Sequence, residues 1–311
     1  MTVIRIGTRG SALALAQTKL IADRLAASSG SAVEILTIST AGDRSKDSLA
    51  SIGGTGVFAS ALRDALMADE CDLVVHSLKD LPTTLHPGLV IAAIPQRADA
   101  RDVLCARDGL TMDTLPVGAR VGTGSPRRLA QLRARRGDLE VVDIRGNVDT
   151  RLGRVGNGDP GVGYLDAVVL AAAGLERLGR LEAITEYLEI DGWPTAPGQG
   201  ALAIEVREGR ESLVRKLDHA PTRVVVEAER EVLALLEAGC SAPVAAHAFL
   251  DDGLLFLSAR VYSIDGAQRL TSSQALYISD SAKPARELAE RVANELLEAG
   301  AAALVPLGSN R

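Results

Sequence analysis

The chain has 311 residues, of which 47% are hydrophobic and only 3% aromatic, so we expect about two domains with cores of packed aliphatic side chains. A formal net charge of −6 argues against a nucleic-acid-binding protein, and no apolar run approaches the roughly 20 residues of a membrane-spanning helix. Three cysteines are too few for a disulfide framework, and the four histidines lack the spacing of metal ligands, so neither disulfides nor a metal site is predicted. The lack of an export signal favours the cytoplasm.

Strand-like and helix-like segments alternate along the first hundred residues. VIRI, VEILTIS and DLVVHS read as strands, whereas ALALAQTKLIADRL and VFASALRDALM carry apolar residues at helical spacing. The glycine-rich SIGGTG is interpreted as a mobile lid, because no Gly-Lys-Ser/Thr follows to make a phosphate loop. The alternation predicts a mostly parallel sheet covered by helices.

The same pattern restarts near residue 101. DVLCARD, ARVG, EVVDI and DAVVL are strand-like, and RRLAQLRARR, VDTRLGRV and AAGLERLG are helical. The openings VIRIGTRGSALALAQ and ARVGTGSPRRLAQ resemble each other, since each has a strand, a Gly-Thr turn, a serine and a helix. We therefore expect two similar α/β lobes with a cleft between them.

The composition changes after the connector DGWPTAPGQG and a further strand at Ala201 to Val206. TRVVVEAEREVLALLEAG predicts a long helix. AAHAFL, LLFLSARVYSI and QRLTSSQALYIS predict strands separated by turns, and KPARELAERVANELLEAG predicts a final amphipathic helix. This order predicts a separate C-terminal α+β domain.

Positive charge is concentrated between Arg120 and Arg154. That segment has nine arginines and four acids, a net of 9 − 4 = +5, so the rest of the chain carries −6 − 5 = −11. A confined positive site in an acidic protein suggests a small polyanionic ligand.

Arg127 and Arg128 stand where a helix should begin, because Ser125 is a favoured N-cap and Pro126 a favoured first residue. Two cations at this end oppose the helix dipole. A docked anion would instead be held by free N–H groups, the dipole and both guanidinium groups. A solvated basic helix end is the alternative interpretation.

Two further strand ends carry arginines beside a predicted helix cap. Arg145 and Arg151 flank Asn147 in DIRGNVDTR, and Arg9 precedes Ser11 in GTRGS. Ligands of open parallel sheets bind beyond the carboxyl ends of the strands, so we expect these arginines to face one crevice.

Lys79 and Asp80 follow the strand in HSLKDLP. They form either a surface ion pair or a functional pair in which the aspartate stays ionised among cations. In the second interpretation the carboxylate could stabilise a developing cation on the substrate and pass protons.

Cys240 lies in LEAGCSAPV, just past the C-terminus of a predicted helix. The helix dipole disfavours a thiolate there and no histidine is adjacent, so a turnover nucleophile is not predicted. An exposed lone thiol suits a permanent covalent attachment. Cys71 and Cys105, beside or inside strands, are interpreted as small apolar filler.

Eight stretches in order resemble the porphobilinogen deaminase (hydroxymethylbilane synthase) family over essentially the whole chain: GTRGSALAL, STAGDR, HSLKDLP, VGTGSPRR, IRGNVDTRL, AAAGLERLG, APGQGALAIE and LEAGCSAP. The resemblance implies a transferase of tetrapyrrole (porphyrin and haem) biosynthesis. It would join four porphobilinogen molecules head to tail, release ammonia at each step, and free hydroxymethylbilane by hydrolysis. It also implies a dipyrromethane cofactor, made from the substrate and attached by a thioether to Cys240.

The resemblance assigns roles to the matching positions. Asp80 would be the catalytic carboxylate that stabilises the azafulvenium cation formed when ammonia leaves. The implied cofactor-binding residues are Lys79, Asp80, Thr123, Ser125, Arg127, Arg128, Arg151 and Gln199. The implied substrate-binding residues are Arg9, Ser11, Arg145 and Arg151.

The implied fold is α/β, with two periplasmic-binding-protein-like lobes and a smaller α+β C-terminal domain that carries the cofactor cysteine. The first lobe would comprise residues 1–97 and 198–217, the second lobe 98–197, and the C-terminal domain 218–311. We expect a monomer that binds porphobilinogen and neither nucleic acid nor membranes.

Two features depart from the family pattern. Ser51 and Thr55, in the predicted lid, stand where many members have lysine, so the lid lacks two cations that could bind carboxylates. Gly124 stands where a second serine is common, which removes one hydroxyl donor.

Two other functions compete with this one. A two-lobed small-anion-binding protein without catalysis is compatible with the fold, but the missing export signal and the third domain with its cysteine disfavour it. A nucleotide- or phosphosugar-binding transferase is disfavoured by the absent phosphate loop.

Overall fold

The computed structural model describes residues 3–39, 57–156, 163–238 and 242–305. The chain divides into two compact units, Met1–Ala98 with Gly200–Arg223 and Asp99–Gln199 with Val224–Arg311. The predicted lid at 51–56 and the predicted attachment residue, Cys240, lie outside the described residues.

The elements are numbered in chain order over the described ranges. The strands are β1 Val3–Thr8, β2 Ala32–Thr37, β3 Leu73–Ser77, β4 Leu89–Ala93, β5 Asp102–Ala106, β6 Arg120–Gly122, β7 Glu140–Val142, β8 Ala167–Ala171, β9 Glu186–Leu188, β10 Leu202–Arg207, β11 Val244–Asp251, β12 Leu254–Tyr262 and β13 Arg269–Tyr277. The helices are α1 Ala12–Ser29, α2 Val57–Met67, α3 Pro126–Arg135, α4 Val148–Leu152, α5 Ala172–Arg177, α6 Ala220–Leu235, α7 Pro284–Glu298 and α8 Ala301–Leu304.

The first unit is an α/β lobe on a sheet of order β2-β1-β3-β10-β4. Strands β1, β2 and β3 are parallel, and β10 runs antiparallel to both of its neighbours. Ile21 and Leu25 of α1 pack with Ile6 on one face, whereas Leu62 of α2 packs with Val74 on the other. The sheet is therefore covered on both faces, as the alternation of strands and helices predicts.

The second unit contains a lobe of equivalent order, β7-β6-β8-β5-β9. Here β7, β6 and β8 are parallel, and β5 is the antiparallel member. Leu132 of α3 packs with Val121 and Trp193 on one face, and Leu175 of α5 packs with Val168 on the other. The two lobes predicted from the repeated strand, turn and helix pattern are thus similar in topology.

The C-terminal segment of the second unit forms an antiparallel sheet of order β11-β12-β13. Leu288 and Val292 of α7 are buried, and this helix packs on β12 and β13. Gln131 of α3 donates a hydrogen bond of 3.3 Å to the buried Tyr262 hydroxyl, so the second lobe contacts this domain.

The predicted fold class is confirmed: two α/β lobes are joined to a small α+β domain. The sheets are mostly parallel, as expected, and each contains one strand that runs antiparallel to its neighbours, β10 in the first lobe and β5 in the second. The predicted return of the chain to the first lobe is observed as β10, whereas the exact domain boundaries stay a prediction. Among the described helices, none has the length and apolar character needed to cross a bilayer.

Candidate active site

Three predicted helix caps form as the sequence indicates. Ser11, Ser125 and Asn147 have extended backbones directly before α1, α3 and α4. Each side-chain oxygen accepts a hydrogen bond from the backbone N–H three residues on, at 3.3, 3.5 and 2.8 Å respectively. The arginine-bearing loops are therefore fixed at both ends, by a strand before and a capped helix after.

A pocket of about 40 Å³ in the first unit brings together Arg9 and Asp80. Arg9 follows β1, and Asp80 ends a single 3₁₀ turn that follows β3. Because β1 and β3 are adjacent and parallel, their carboxyl ends meet at one edge of the sheet. Asp80 is exposed, and Ser77 and Gln17, joined by a 3.0 Å hydrogen bond, also line the pocket.

A buried ionic cluster lies against this pocket. Arg63 of α2 holds Glu205 of β10 through Nε and Nη2, at 3.0 and 2.9 Å from its two carboxylate oxygens. Nε2 of His76, a pocket-lining residue, lies 3.1 Å from Oε2 of Glu205. Burial alone would raise the pKa of Glu205, but hydrogen bonds from His76 and Arg63 hold it below its usual value.

Replacing Glu205 by glutamine should lower the free energy of unfolding by about 3 kcal/mol at pH 7, because it leaves the Arg63 guanidinium buried without a counter-charge. The folded-state pKa of Glu205 is depressed, so its contribution is complete above the unfolded pKa of about 4.3 and is lost as the pH falls below it. Urea unfolding at pH 7 and near pH 3.5 should show the gap between wild type and E205Q narrowing in acid. The exposed Glu208→Gln is the matched control, and equal stabilities at pH 7 would contradict the prediction.

Parallel strands β6 and β7 place a second set of predicted residues at one edge of the other lobe. Thr123 follows β6, is nearly fully buried, and its hydroxyl accepts a 3.2 Å hydrogen bond from the N–H of Ser125. A Cβ added at Gly124 would lie 2.6 Å from the backbone oxygen of Ile144. Gly124, which stands where many family members have serine, therefore lets its loop approach the loop after β7 closely. A serine side chain would obstruct this approach.

Arg145 and Arg151 lie in the loop after β7 and in α4, respectively, and both are half-buried. Nε of Arg151 donates a 2.9 Å hydrogen bond to the backbone oxygen of Gly146. The structure thus brings Thr123, Ser125 and these two arginines to the same sheet edge.

Arg127 and Arg128 are 4% and 5% exposed, so they are not the open basic helix end that the sequence also allowed. Both turn inward to Asp102 of β5, which is fully buried: Nη1 of Arg127 lies 2.9 Å from Oδ2, and Nη2 of Arg128 lies 2.6 Å from Oδ1. Two guanidinium charges thus meet one carboxylate, which leaves a net charge of +1 in a buried cluster.

Trp193 and Gln199 complete the coordination of Asp102. The indole N–H of Trp193 donates to Oδ2 at 2.9 Å, and Nε2 of Gln199 donates to Oδ1 at 2.8 Å. Burial alone would raise the pKa of Asp102, but the charges of Arg127 and Arg128 and their hydrogen bonds hold it far below its usual range. Gln199, which the resemblance implies as a cofactor-binding residue, is 0% exposed in this network.

The donor set around Asp102 fits an anionic ligand group. The Nε atoms of Arg127 and Arg128 are buried without a hydrogen-bond partner. Burial and the neighbouring Arg128 charge lower the pKa of Arg127 despite the attraction of Asp102. A further carboxylate would relieve this excess of positive charge, which is the chemistry that a cofactor bearing carboxylates would supply.

Sequence reasoning missed Asp102, Trp193 and the cluster of Arg63, His76 and Glu205. An aspartate at the start of an apolar strand (DVLCA) is a weak signal of a buried partner, because carboxylates are seldom buried unless paired. Which cations it pairs with is not visible in the sequence, since Arg128 lies 26 residues away.

Two family models cover most of the chain. The model described as "Porphobilinogen deaminase, dipyromethane cofactor binding domain" matches residues 4–215, and "Porphobilinogen deaminase, C-terminal domain" matches residues 224–298.

Curated relatives agree with these models. The porphobilinogen deaminase of Leifsonia xyli subsp. xyli is 60% identical over 98% of this chain and 94% of its own length. The porphobilinogen deaminase of Thermobifida fusca is 49% identical over 98% of this chain and 96% of its own length. Among solved structures, the methionine-binding protein MetQ is 11% identical, with a TM-score of 0.43 over 69% of this chain and 89% of its own. The chain belongs to the porphobilinogen deaminase family.

Proposed function

We propose that this chain catalyses the porphobilinogen deaminase (hydroxymethylbilane synthase) reaction. Four porphobilinogen molecules would be joined head to tail, ammonia would leave at each step, and hydrolysis would release hydroxymethylbilane. The observation that carries the proposal is the pocket in which Arg9 lies with the exposed carboxylate of Asp80. A substrate that bears carboxylates and develops positive charge needs a guanidinium for the first and a carboxylate for the second.

Asp80 is proposed to face the cation that develops on the substrate as ammonia leaves, and to accept protons during condensation. Its position in the short turn after β3 supports this role, because the turn is held by the strand and keeps the side chain exposed. The proposed ligands of the incoming substrate's carboxylates are Arg9, Ser11, Arg145 and Arg151.

The proposed cofactor is dipyrromethane, attached through Cys240, and when bound it supplies the end to which substrate units are added. Its proposed ligands are Lys79, Asp80, Thr123, Ser125, Arg127, Arg128, Arg151 and Gln199. The excess positive charge around Asp102 and the unpaired Nε atoms beside it support carboxylate binding in this part of the chain.

A two-lobed anion-binding protein without catalysis is the alternative, since a fold of two lobes does not determine function. The family membership of both the lobes and the C-terminal domain disfavours it.

Incubating the purified chain with porphobilinogen tests the proposal. Ammonia and hydroxymethylbilane should both be released, and intact mass should show the polypeptide heavier by one dipyrrole. A chain that binds porphobilinogen reversibly, releases no ammonia and keeps its unmodified mass would instead favour the binding protein.

Replacing Arg127 or Arg128 by glutamine should slow cofactor loading by about tenfold or more, because each removes a charged hydrogen-bond donor from the proposed site. Asp102 would keep one guanidinium partner in either variant, so the protein should stay folded. Intact mass after timed incubation with porphobilinogen measures loading. Arg135→Gln, an exposed position on the same helix, is the matched control, and variants that load as fast as it does would remove these arginines from the site.

A further inference from the structure

Asp102 is a fully buried ionisable group of the second unit that has no role in the proposed chemistry. It is 0% exposed, so its carboxylate does not present itself to a substrate. Four donors nevertheless converge on its two oxygens, two of them guanidinium groups of α3. A buried carboxylate with this number of donors acts on its neighbours rather than on a ligand.

Apart from Asp102, the hydrogen-bond acceptors of the Arg127 and Arg128 guanidinium groups are neutral. Nη1 of Arg127 also donates to Oε1 of Gln131 and to the backbone oxygen of Pro194, at 2.7 and 3.1 Å. Nη1 of Arg128 donates to the backbone oxygen of Val169 at 3.0 Å. These acceptors are neutral, so Asp102 supplies the counter-charge within 4 Å of both guanidinium groups. Without it, two like charges would repel each other in a buried site.

The carboxylate is itself fixed from the connector that precedes β10. Trp193 and Gln199 donate to it from either end of this connector. Gly198, next to Gln199, donates its N–H to Oε2 of the fully buried Glu229 at 2.7 Å, and Oε1 of the same glutamate accepts from the N–H of Ala248 at 2.8 Å. The connector is therefore tied to α6 and β11 of the C-terminal domain.

We propose that Asp102 is a positioning residue: a built-in counter-anion that holds the Arg127 and Arg128 guanidinium groups together at the start of α3. It neutralises one of their two charges and leaves the other to attract a ligand carboxylate. This inference deepens the proposed function and rests on it for the identity of that ligand. The positioning role itself depends only on the buried contacts.

Rescue by a small carboxylate tests the counter-anion directly. Asp102→Ala removes the carboxylate and leaves space for formate between the two guanidinium groups. Formate should raise the thermal unfolding midpoint of the full-length D102A chain by about 3 °C relative to chloride at equal ionic strength. Wild type and Asp102→Asn, whose side chains fill the space, should show no such difference. A folded D102A that ignores formate, or a D102N that responds equally, would overturn the proposal.

A second set of variants tests the counter-anion role of Asp102 if the D102A chain does not fold in either formate or chloride. Asp102→Asn combined with Arg127→Gln and Arg128→Gln removes the carboxylate together with both charges that it opposes. If charge compensation is the role of Asp102, this triple variant should fold with a higher midpoint than D102N alone. A triple variant that is no more stable than D102N would assign Asp102 to packing and refute the inference.

Cofactor loading separates this inference from the proposed function. In folded D102A the rate at which the dipyrrole adduct appears in the intact mass should fall about tenfold or more, and formate should restore it. If wild type takes no adduct, the proposed function fails while the formate-dependent midpoint still decides the role of Asp102. If wild type loads and D102A loads equally fast without formate, the positioning role fails alone.

Discussion

Replacing Asp80 by alanine should leave the protein folded and lower its turnover of porphobilinogen by about 10²- to 10⁴-fold, the range of a lost charge-stabilising or proton-transferring group. Positive charge moves from the ammonium group onto the pyrrole ring as ammonia departs, so a fixed negative charge facing the ring stabilises the transition state more than the ground state. Asp80 is exposed at the end of a short turn, and its removal leaves no buried cavity. Ammonia release at saturating substrate measures the effect, and the thermal midpoint reports the fold.

Two further variants sharpen this test. Asp80→Asn keeps the volume and one acceptor oxygen but not the charge, so it should be nearly as inactive as the alanine variant. Asp64→Ala removes an exposed carboxylate from α2 of the same unit and should retain full turnover. Near-normal ammonia release by D80A, with D64A as the reference, would remove Asp80 from the mechanism.

Local features of the fold could be predicted because they depend on neighbours in the sequence. Ser125 followed by Pro126 fixes the start of α3, and Asn147 fixes that of α4, since an N-cap needs only a side-chain acceptor and the next turn of helix. The joint placement of Arg9 and Asp80 followed from two parallel strands whose carboxyl ends share a sheet edge.

Features that depend on residues distant in the sequence could not be predicted in the same way. The side chains of Arg127 and Arg128 turn inward because Asp102 lies on β5, and β5 reaches that place only through its antiparallel pairing with β8. The apolar pattern of β5 predicts that this strand is buried. It does not predict whether the strand runs parallel or antiparallel to its neighbours, because side-chain alternation is the same in both cases. The helix start was therefore predictable, whereas the partner that decides where its arginines point was not.

The distribution of positive charge combines a feature that the sequence shows with one that only the structure shows. The sequence shows an excess of five positive charges between Arg120 and Arg154, and the structure shows that surface ion pairs absorb part of it, such as Arg120 with Glu140 and Arg136 with Asp138. The cluster around Asp102 differs, because its two cations are buried with one anion. Since a buried, uncompensated charge costs several kcal/mol, it is this cluster that should gain most from a bound carboxylate.

Replacing Cys240 by serine should abolish the covalent adduct, and turnover with it. A serine hydroxyl at this position is a far weaker nucleophile than a cysteine sulfur. The other two cysteines are poor competitors for attachment. Burial raises the pKa of Cys71 to about 11 and that of Cys105 to about 12, so neither is a thiolate near neutral pH. Intact mass after incubation with porphobilinogen should show the dipyrrole on wild type and the bare polypeptide mass for C240S.

Cys71→Ala and Cys105→Ala are the matched controls, since alanine places no unpaired hydroxyl in the core. Both should carry the adduct, with at most a modest loss of stability from the small cavities left behind. Because the three variants remove one thiol each, the comparison assigns the attachment to a single sulfur without depending on activity. An adduct on C240S, or its loss from either control while that control remains folded, would place the cofactor on a different residue and separate the C-terminal domain from cofactor attachment.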